Sequence, residues 1–135
     1  MIKFEDFIEK GEAKKISKDI AFAQALWKRA EERDEIILKN LPMDEKTAFT
    51  IFEQIYESIR EYADAILSLE GYKSYSHLAS ILFLEKYPEI LPVEIHKLNN
   101  AREKRNNSKY YAKKIFLNEA EELILFYNQM TSSTP

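Results

Sequence analysis

Two arginines lie on an apolar helical stripe in the last third of the sequence. Leu91, Ile95 and Leu98 recur at helical spacing, and the next positions on the same stripe are Arg102 and Arg105. A buried charge without a partner costs several kcal/mol even after the protein relaxes around it. The pattern therefore predicts a sheltered cationic cluster that needs carboxylates, a partner subunit or an anionic ligand such as phosphate.

Polar and aromatic side chains accompany the two arginines on the same predicted helix. Arginine suits phosphate recognition because its planar guanidinium binds oxygens in pairs and keeps its charge. We expect Arg105 to contact phosphate. Arg102 should support that contact, and Asn106 should have an orienting role in it. The residues predicted to carry function in this segment are Arg102, Arg105, Asn106, Lys109, Tyr110 and Tyr111.

Carboxylates on the long central helix offer a second explanation for the cluster. Glu57, Glu61 and Asp64 are available partners, and ion pairs between helices would then make the arginines structural. Asp64 is also included among the expected ligand-binding residues. Both explanations stay open on the sequence alone.

The composition favours a single helical domain. The chain has 135 residues, with two glycines, four prolines and no cysteine, and it is rich in residues that favour helices. No segment has the apolar length of a membrane span or the pattern of a signal peptide, so we expect a soluble cytoplasmic protein without a membrane partner. The formal net charge of −3 is unlike that of a dedicated nucleic-acid-binding protein, so any phosphate contact must be local.

Several classes of site are disfavoured by the residues present. Without cysteine, neither disulfides nor thiolate metal sites can form. His77 and His96 are too far apart in sequence for a local metal pair, and two glycines cannot build a phosphate-binding loop. We expect no metal and no cofactor. His77 is interpreted as a neutral histidine in a turn, because it begins a predicted helix.

Periodicity predicts an all-α, up-and-down bundle of four main helices plus shorter ones. A single domain should span residues 1–130, followed by a disordered tail over 131–135. The first expected helix covers residues 4–10, the second runs from an N-cap at Ser17 to Asn40, and the third runs from an N-cap at Asp44 to Gly71. The fourth runs from about Leu78 to before Pro88, and the fifth runs from Pro92 to between Asn107 and Tyr111. The last is capped by Asn118 with Glu121 and ends at Met130.

The apolar faces of the two long N-terminal helices are also predicted. On the first, Ile20 and Trp27 should face inward, whereas the charged run that includes Arg29 and Arg33 should face outward. On the second, Phe52 belongs to a stripe spaced at helical intervals. That stripe is a core face or, alternatively, the interface of a helical homodimer, and its aromatic members are Phe49, Phe52, Tyr56 and Tyr62.

Three segments together resemble a prokaryotic HEPN domain. They are YESIREYADA at Tyr56–Ala65, the turn Gly71–Lys73 with His77 after it, and AREKRNNSKYY at Ala101–Tyr111. The resemblance covers about Ser17 to Met130. HEPN domains are small helical bundles, often dimeric, and many accompany a minimal nucleotidyltransferase as the toxin of a toxin–antitoxin pair. The resemblance therefore implies a homodimer, a nucleotidyltransferase antitoxin as partner, and RNA or a nucleotide as ligand.

Active members of that family are metal-independent endoribonucleases whose motif is an arginine, a polar residue and then a histidine four to six positions after the arginine. Arg105 and Asn106 match its first part, but no histidine follows His96. Tyr110 is expected to replace the lost base, which predicts weak or absent catalysis because tyrosine is a poor base at neutral pH. The resemblance also implies that the hydroxyl of Tyr110 or Tyr111 could be modified by the nucleotidyltransferase. The alternatives are a non-catalytic HEPN partner protein and a structural homodimer.

Overall fold

Six helices and one two-stranded sheet form the part of the chain that the structure, a computed structural model, describes: residues 2–88, 90 and 92–133. The elements are α1 (Phe4–Glu9), β1 (Ala13–Lys15), α2 (Ile20–Asn40), α3 (Ala48–Glu70), β2 (Tyr72–Ser74), α4 (His77–Phe83) with a 3-10 turn at Leu84–Lys86, α5 (Pro92–Tyr111) and α6 (Leu117–Ser133). The predicted all-α class, with four main helices and two shorter ones, is confirmed. Within the described ranges, no helix is both long and apolar enough to cross a membrane.

The central element is α3, which packs against α2, α4, α5 and α6. Its inward positions alternate steps of three and four residues, so one continuous side of the helix is apolar. That side is fully buried at Phe52, Ile55, Ile59 and Tyr62. Because Phe52, Tyr56 and Tyr62 are all core residues and only Phe49 is exposed, the aromatic stripe is a core face and cannot be a dimer interface.

A buried polar network joins α2 to α3. Glu61 is buried and accepts hydrogen bonds from Nε of Arg29 at 2.5 Å and from Nη1 of Arg33. Arg33 also donates to Oγ of Ser58 at 3.3 Å, and Ser58 donates to the carboxylate of Asp34 at 2.6 Å. The prediction that Arg33 faces outward is wrong, because its buried partner Glu61 draws the guanidinium into the α2–α3 contact.

A short antiparallel sheet lies over the C-terminal end of α3. β1 pairs with β2 in the register Ala13 with Ser74, Lys14 with Lys73 and Lys15 with Tyr72. Gly71 ends α3 in the left-handed region at φ 86°, as the sequence predicted. A Cβ at Gly71 would lie 3.1 Å from the carbonyl oxygen of Ile16, so this close approach also requires glycine.

Several helix boundaries differ from the prediction because other side chains cap the backbone. Asp19, not Ser17, accepts from the backbone N–H of Phe22 and begins α2. Asp44 caps a turn before α3, and the helix itself begins after Thr47. At α6, the carboxylate of Glu119 accepts from the N–H of Phe116 at 3.0 Å, so the capping pair lies two residues before the one predicted at Asn118 and Glu121.

The positions of two further predicted features are also corrected. Ile20 was expected to face inward, but it is exposed at the first turn of α2, where Ala23, Leu26 and Ala30 form the buried side. The C-terminal tail was predicted to begin at 131, yet α6 continues through Ser133. Buried Met130 anchors its last turns, and Oγ1 of Thr131 donates to the carbonyl of Tyr127 at 3.0 Å. Residues 134 and 135 lie outside the described residues.

Candidate functional site

The arginine segment occupies the middle of α5. Ile95, Leu98 and Ala101 are buried along one side of that helix, and Arg102 and Arg105 continue the side as half-buried residues. The predicted first member of the stripe, Leu91, lies outside the described residues. The expectation that the two guanidiniums occupy a sheltered position is confirmed.

Among the residues that the structure describes, no carboxylate neutralises either arginine. Nε of Arg102 donates to Oδ1 of Asn99 at 3.0 Å, and Nη1 of Arg105 donates to Oδ1 of Asn106 at 3.3 Å. Nε of Arg105 is buried and has no hydrogen-bond acceptor within the described part of the chain. Amide oxygens are neutral, so two positive charges remain uncompensated among these residues, which favours an anionic ligand.

The carboxylates that the sequence offered as partners are engaged elsewhere. Glu57 accepts from Arg60 on its own helix, and Glu61 binds two arginines of α2. Asp64 accepts from Oγ of Ser80 at 2.9 Å and lies 3.9 Å from Nη1 of Arg60. The alternative explanation, in which these acids pair with the arginines of α5, is not seen among the described residues, because the rotation of α3 directs the acids toward α2, α4 and their own helix. Asp64 is therefore not part of the cationic cluster.

Two aromatic side chains from other helices complete the cluster, which we call the arginine site: Tyr56, His77, Arg102 and Arg105. The guanidinium carbon of Arg105 lies 5.8 Å from the ring centroid of buried Tyr56, within range of a cation–π contact. The His77 ring, at the start of α4, lies 6.3 Å from the Tyr56 ring. Sequence reasoning missed both residues, although the Tyr56 segment and His77 were part of the family resemblance.

The electrostatics keep both aromatic groups neutral. Burial lowers the pKa of His77 below its usual value, and the charges of Arg60, Arg105 and Arg102 lower it further. Burial also raises the pKa of Tyr56 to about 12, against the opposing effect of Arg102 and Arg105. The prediction that His77 is neutral agrees with this environment, although no hydrogen bond of the described residues holds its ring within the turn. Neutral His77 is able to accept a proton, whereas Tyr56 is not.

The remaining predicted residues are separated from the arginine site. Asn106 accepts a hydrogen bond from Arg105, but Tyr110 and Tyr111 are 69% and 74% exposed near the end of α5. Within the described residues, no hydrogen bond or ring contact joins Tyr110 or Lys109 to either arginine. Tyr110 therefore does not take the place of the missing histidine in this arrangement.

Two concavities elsewhere in the molecule are electrically balanced. A cavity of about 390 Å³ between α2, α3 and β2 combines Arg29, Arg60 and Lys73 with Asp19, Glu61 and Asp64. A second of about 420 Å³ between α5 and α6 combines Lys97 and Lys104 with Glu119 and Glu122. Over the described ranges, no group of three or more metal-ligating side chains comes together. Neither concavity carries the excess of positive charge that the arginine site has among the described residues.

Comparison with known proteins adds no constraint on this site. No family model, curated protein or solved structure matches the chain. The functional argument therefore rests on the residues themselves: two guanidiniums with no ion pair to an acid in the described part of the chain, a neutral imidazole near them, and an amide that accepts a hydrogen bond from one of the arginines.

Binding of a dianion at the arginine site should raise the pKa of His77. In the free protein, protonation of His77 is disfavoured, so its contribution to stability is present above the usual histidine value near 6.5 and is lost as the pH falls. A bound dianion neutralises the charge of the two arginines and stabilises the imidazolium. Proton NMR titration with and without sulfate measures this directly, and sulfate should bind more tightly as the pH falls.

The chain contains its own reference for that titration. His96 lies exposed on α5, and its signal distinguishes a local effect from general salt screening. His77→Gln should remove the pH dependence of sulfate binding in the pH range over which His77 gains a proton. An unchanged His77 titration at saturating sulfate, with His96 unaffected, would show that no anion occupies the site.

Proposed function

We propose that this chain binds the phosphate groups of RNA or of a nucleotide through Arg102 and Arg105, as a HEPN-type protein of the toxin–antitoxin class. The observation that carries the proposal is the pair of half-buried guanidiniums that no carboxylate neutralises among the described residues. Phosphate oxygens accept charge-assisted hydrogen bonds from the guanidinium edge. The helical architecture and the segment around Arg105 also support the family assignment.

A second candidate function is metal-independent cleavage of RNA. The position of His77 beside the arginines favours it, since a neutral imidazole could take the proton of a ribose 2′-hydroxyl. The 2′-oxygen would then attack phosphorus, the arginines would stabilise the added negative charge, and the 5′-oxygen would leave with a proton from water. The products would be a 2′,3′-cyclic phosphate and a 5′-hydroxyl. In this scheme His77, rather than Tyr110, supplies the base.

The partners implied by the family resemblance belong to the same proposal. A homodimer of this chain would carry two arginine sites. The chain would be a cytoplasmic toxin, and a minimal nucleotidyltransferase would be its antitoxin. The exposure of Tyr110 and Tyr111 at the end of α5 supports their use as acceptors of a modification. A non-catalytic role as the nucleotidyltransferase's binding partner is the alternative.

The binding of single-stranded RNA and its salt dependence test the proposed function. The logarithm of the association constant should fall linearly with the logarithm of the salt concentration, with a slope of about −0.7 for each neutralised phosphate. Arg102→Gln should reduce that slope by about 0.7 and weaken binding. Fluorescence anisotropy with a short labelled RNA in EDTA provides the measurement.

The matched control is Lys97→Gln, which removes one positive charge from an exposed position of the same helix. It should leave the slope nearly unchanged. RNA binding with equal slopes for both variants, or no binding by the wild-type protein, would refute the arginine site. Product analysis in EDTA separates the two candidates: cleavage abolished by His77→Gln indicates an enzyme, and intact RNA indicates a binding protein.

A further inference from the structure

Tyr75 is an exposed tyrosine that lies close to one lysine from each strand of the two-stranded sheet. Tyr75 is 57% exposed, and its ring centroid lies 5.9 Å from Nζ of Lys14 and 5.5 Å from Nζ of Lys73. The backbone N–H of Tyr75 donates to the carbonyl of Glu12 at 2.8 Å, which fixes the residue against the strand. The tyrosine face and the two ammonium groups form one surface, which we call the Tyr75 platform.

The two lysines are directly opposed in the sheet register. Lys14 pairs with Lys73 across β1 and β2, and like charges opposite each other destabilise a strand pair. Among the described residues, no ion pair neutralises either lysine. By contrast, Lys86 contacts the rings of Phe83 and Tyr87 but is paired with Glu70 at 3.1 Å. The Tyr75 platform therefore combines two lysines that no ion pair neutralises among the described residues with a largely exposed aromatic residue.

The platform is continuous with the arginine site along the chain. Only Ser76 separates Tyr75 from His77, and its backbone is extended. Two residues span at most about 7 Å, so the Cα atoms of Tyr75 and His77 lie within that distance. The Tyr75 platform therefore directly precedes His77 of the arginine site along the chain.

Aromatic faces combined with positive charge are the usual means of holding single-stranded nucleic acids. The base stacks on the ring, and the lysines contact the backbone phosphates, with little sequence preference. An inorganic anion or a protein carboxylate would use the lysines but not the exposed ring. The combination of features therefore favours a nucleotide chain over a simple anion.

We propose that Tyr75, flanked by Lys14 and Lys73, is a base-stacking subsite for single-stranded RNA whose neighbouring phosphate binds Arg102 and Arg105. This inference rests on the proposed function, because it adds a second contact point to the same ligand. It also predicts that the ligand is an RNA segment of more than one nucleotide.

The test compares a ligand that has bases with one that has none. Tyr75→Leu should weaken binding of a labelled oligoadenylate about tenfold, since stacking on an aromatic side chain contributes on that scale per base. The same substitution should leave binding of inorganic pyrophosphate unchanged. Tyr75→Phe keeps the ring and should bind the oligoadenylate like the wild-type protein. Circular dichroism checks that each variant folds.

Phe116→Ala is the matched control, because Phe116 is also 50% exposed and has Lys114 at 5.0 Å from its ring. It should leave oligoadenylate binding unchanged. Equal affinity of Tyr75→Leu and wild-type protein for oligoadenylate would overturn the stacking subsite while the proposed function stands. If wild-type protein binds neither oligoadenylate nor pyrophosphate, the arginine site fails, and the stacking subsite fails with it.

Discussion

Replacement of Arg105 with alanine should lower the affinity for sulfate, pyrophosphate and RNA at least about a hundredfold, with little change in folding stability. Arg105 is expected to donate two charge-assisted hydrogen bonds to phosphate, each worth about 1.5–3 kcal/mol. Its stabilising contacts among the described residues are a cation–π contact with Tyr56 and a hydrogen bond to Asn106, and its buried Nε has no acceptor among them. Loss of the contacts of Arg105 should destabilise the fold, whereas removal of a buried group without an acceptor should stabilise it. The free energy of unfolding should therefore change by less than about 1 kcal/mol.

Isothermal titration calorimetry with pyrophosphate and urea unfolding measure the two quantities separately. Lys104→Ala provides the control, because it removes the same charge from the adjacent residue, whose ammonium is paired with Glu119 at 2.9 Å. That variant should keep its affinity and lose at most about 1 kcal/mol of stability. A large loss of stability in Arg105→Ala, with affinity retained, would show that Arg105 is a structural residue and not a ligand contact.

Replacement of Glu61 with leucine should destabilise the fold by about 3–5 kcal/mol, the largest effect on stability that we expect. Glu61 is buried and compensates Arg29 and Arg33. Removal of one member of a buried ion pair leaves the other charge desolvated and unpaired. The exposed fraction of the Arg33 side chain is only 20%, so Arg33 cannot regain full hydration without disturbing the α2–α3 contact.

A second substitution distinguishes this mechanism from simple loss of packing. Arg33→Met combined with Glu61→Leu should recover much of the lost stability, because an apolar pair can replace a buried ion pair at little net cost. Glu32→Ala breaks the exposed pair with Lys28 and should change the free energy of unfolding by less than about 0.5 kcal/mol. A double variant that is no more stable than Glu61→Leu would refute the proposed role of the ion pair.

The helices were predictable because the sequence features that define a helix lie within a few residues of one another. The apolar side of α3 recurs at every turn, and Gly71 marks its end in sequence as it does in the structure. The strands β1 and β2 were missed because three-residue strands show no periodicity, and their register depends on residues almost sixty positions apart. The inward orientation of Arg33 was missed for the same reason, since its partner Glu61 belongs to another helix.

The candidate site was predictable only on α5. The stripe through Ile95 and Leu98 located Arg102 and Arg105, and the neighbouring amide of Asn106 followed from helical spacing. His77 comes from α4 and its neighbour Tyr56 from α3, so only tertiary packing brings them to the arginines. The orientation of the α3 carboxylates was likewise unpredictable, because it depends on how that helix is rotated about its axis.

The lack of a Cβ atom at Gly71 affects the surface that is proposed to bind RNA. It allows the Ile16 carbonyl to approach the end of α3, and the N–H of Ile16 donates to the Gly71 carbonyl at 2.9 Å. A bulkier residue there would push β1 outward and carry Lys14 away from Tyr75, without touching α5. The position of Lys14 beside Tyr75 thus depends on the glycine at 71, and a substitution there should weaken the stacking subsite while sparing the contacts of Arg102 and Arg105.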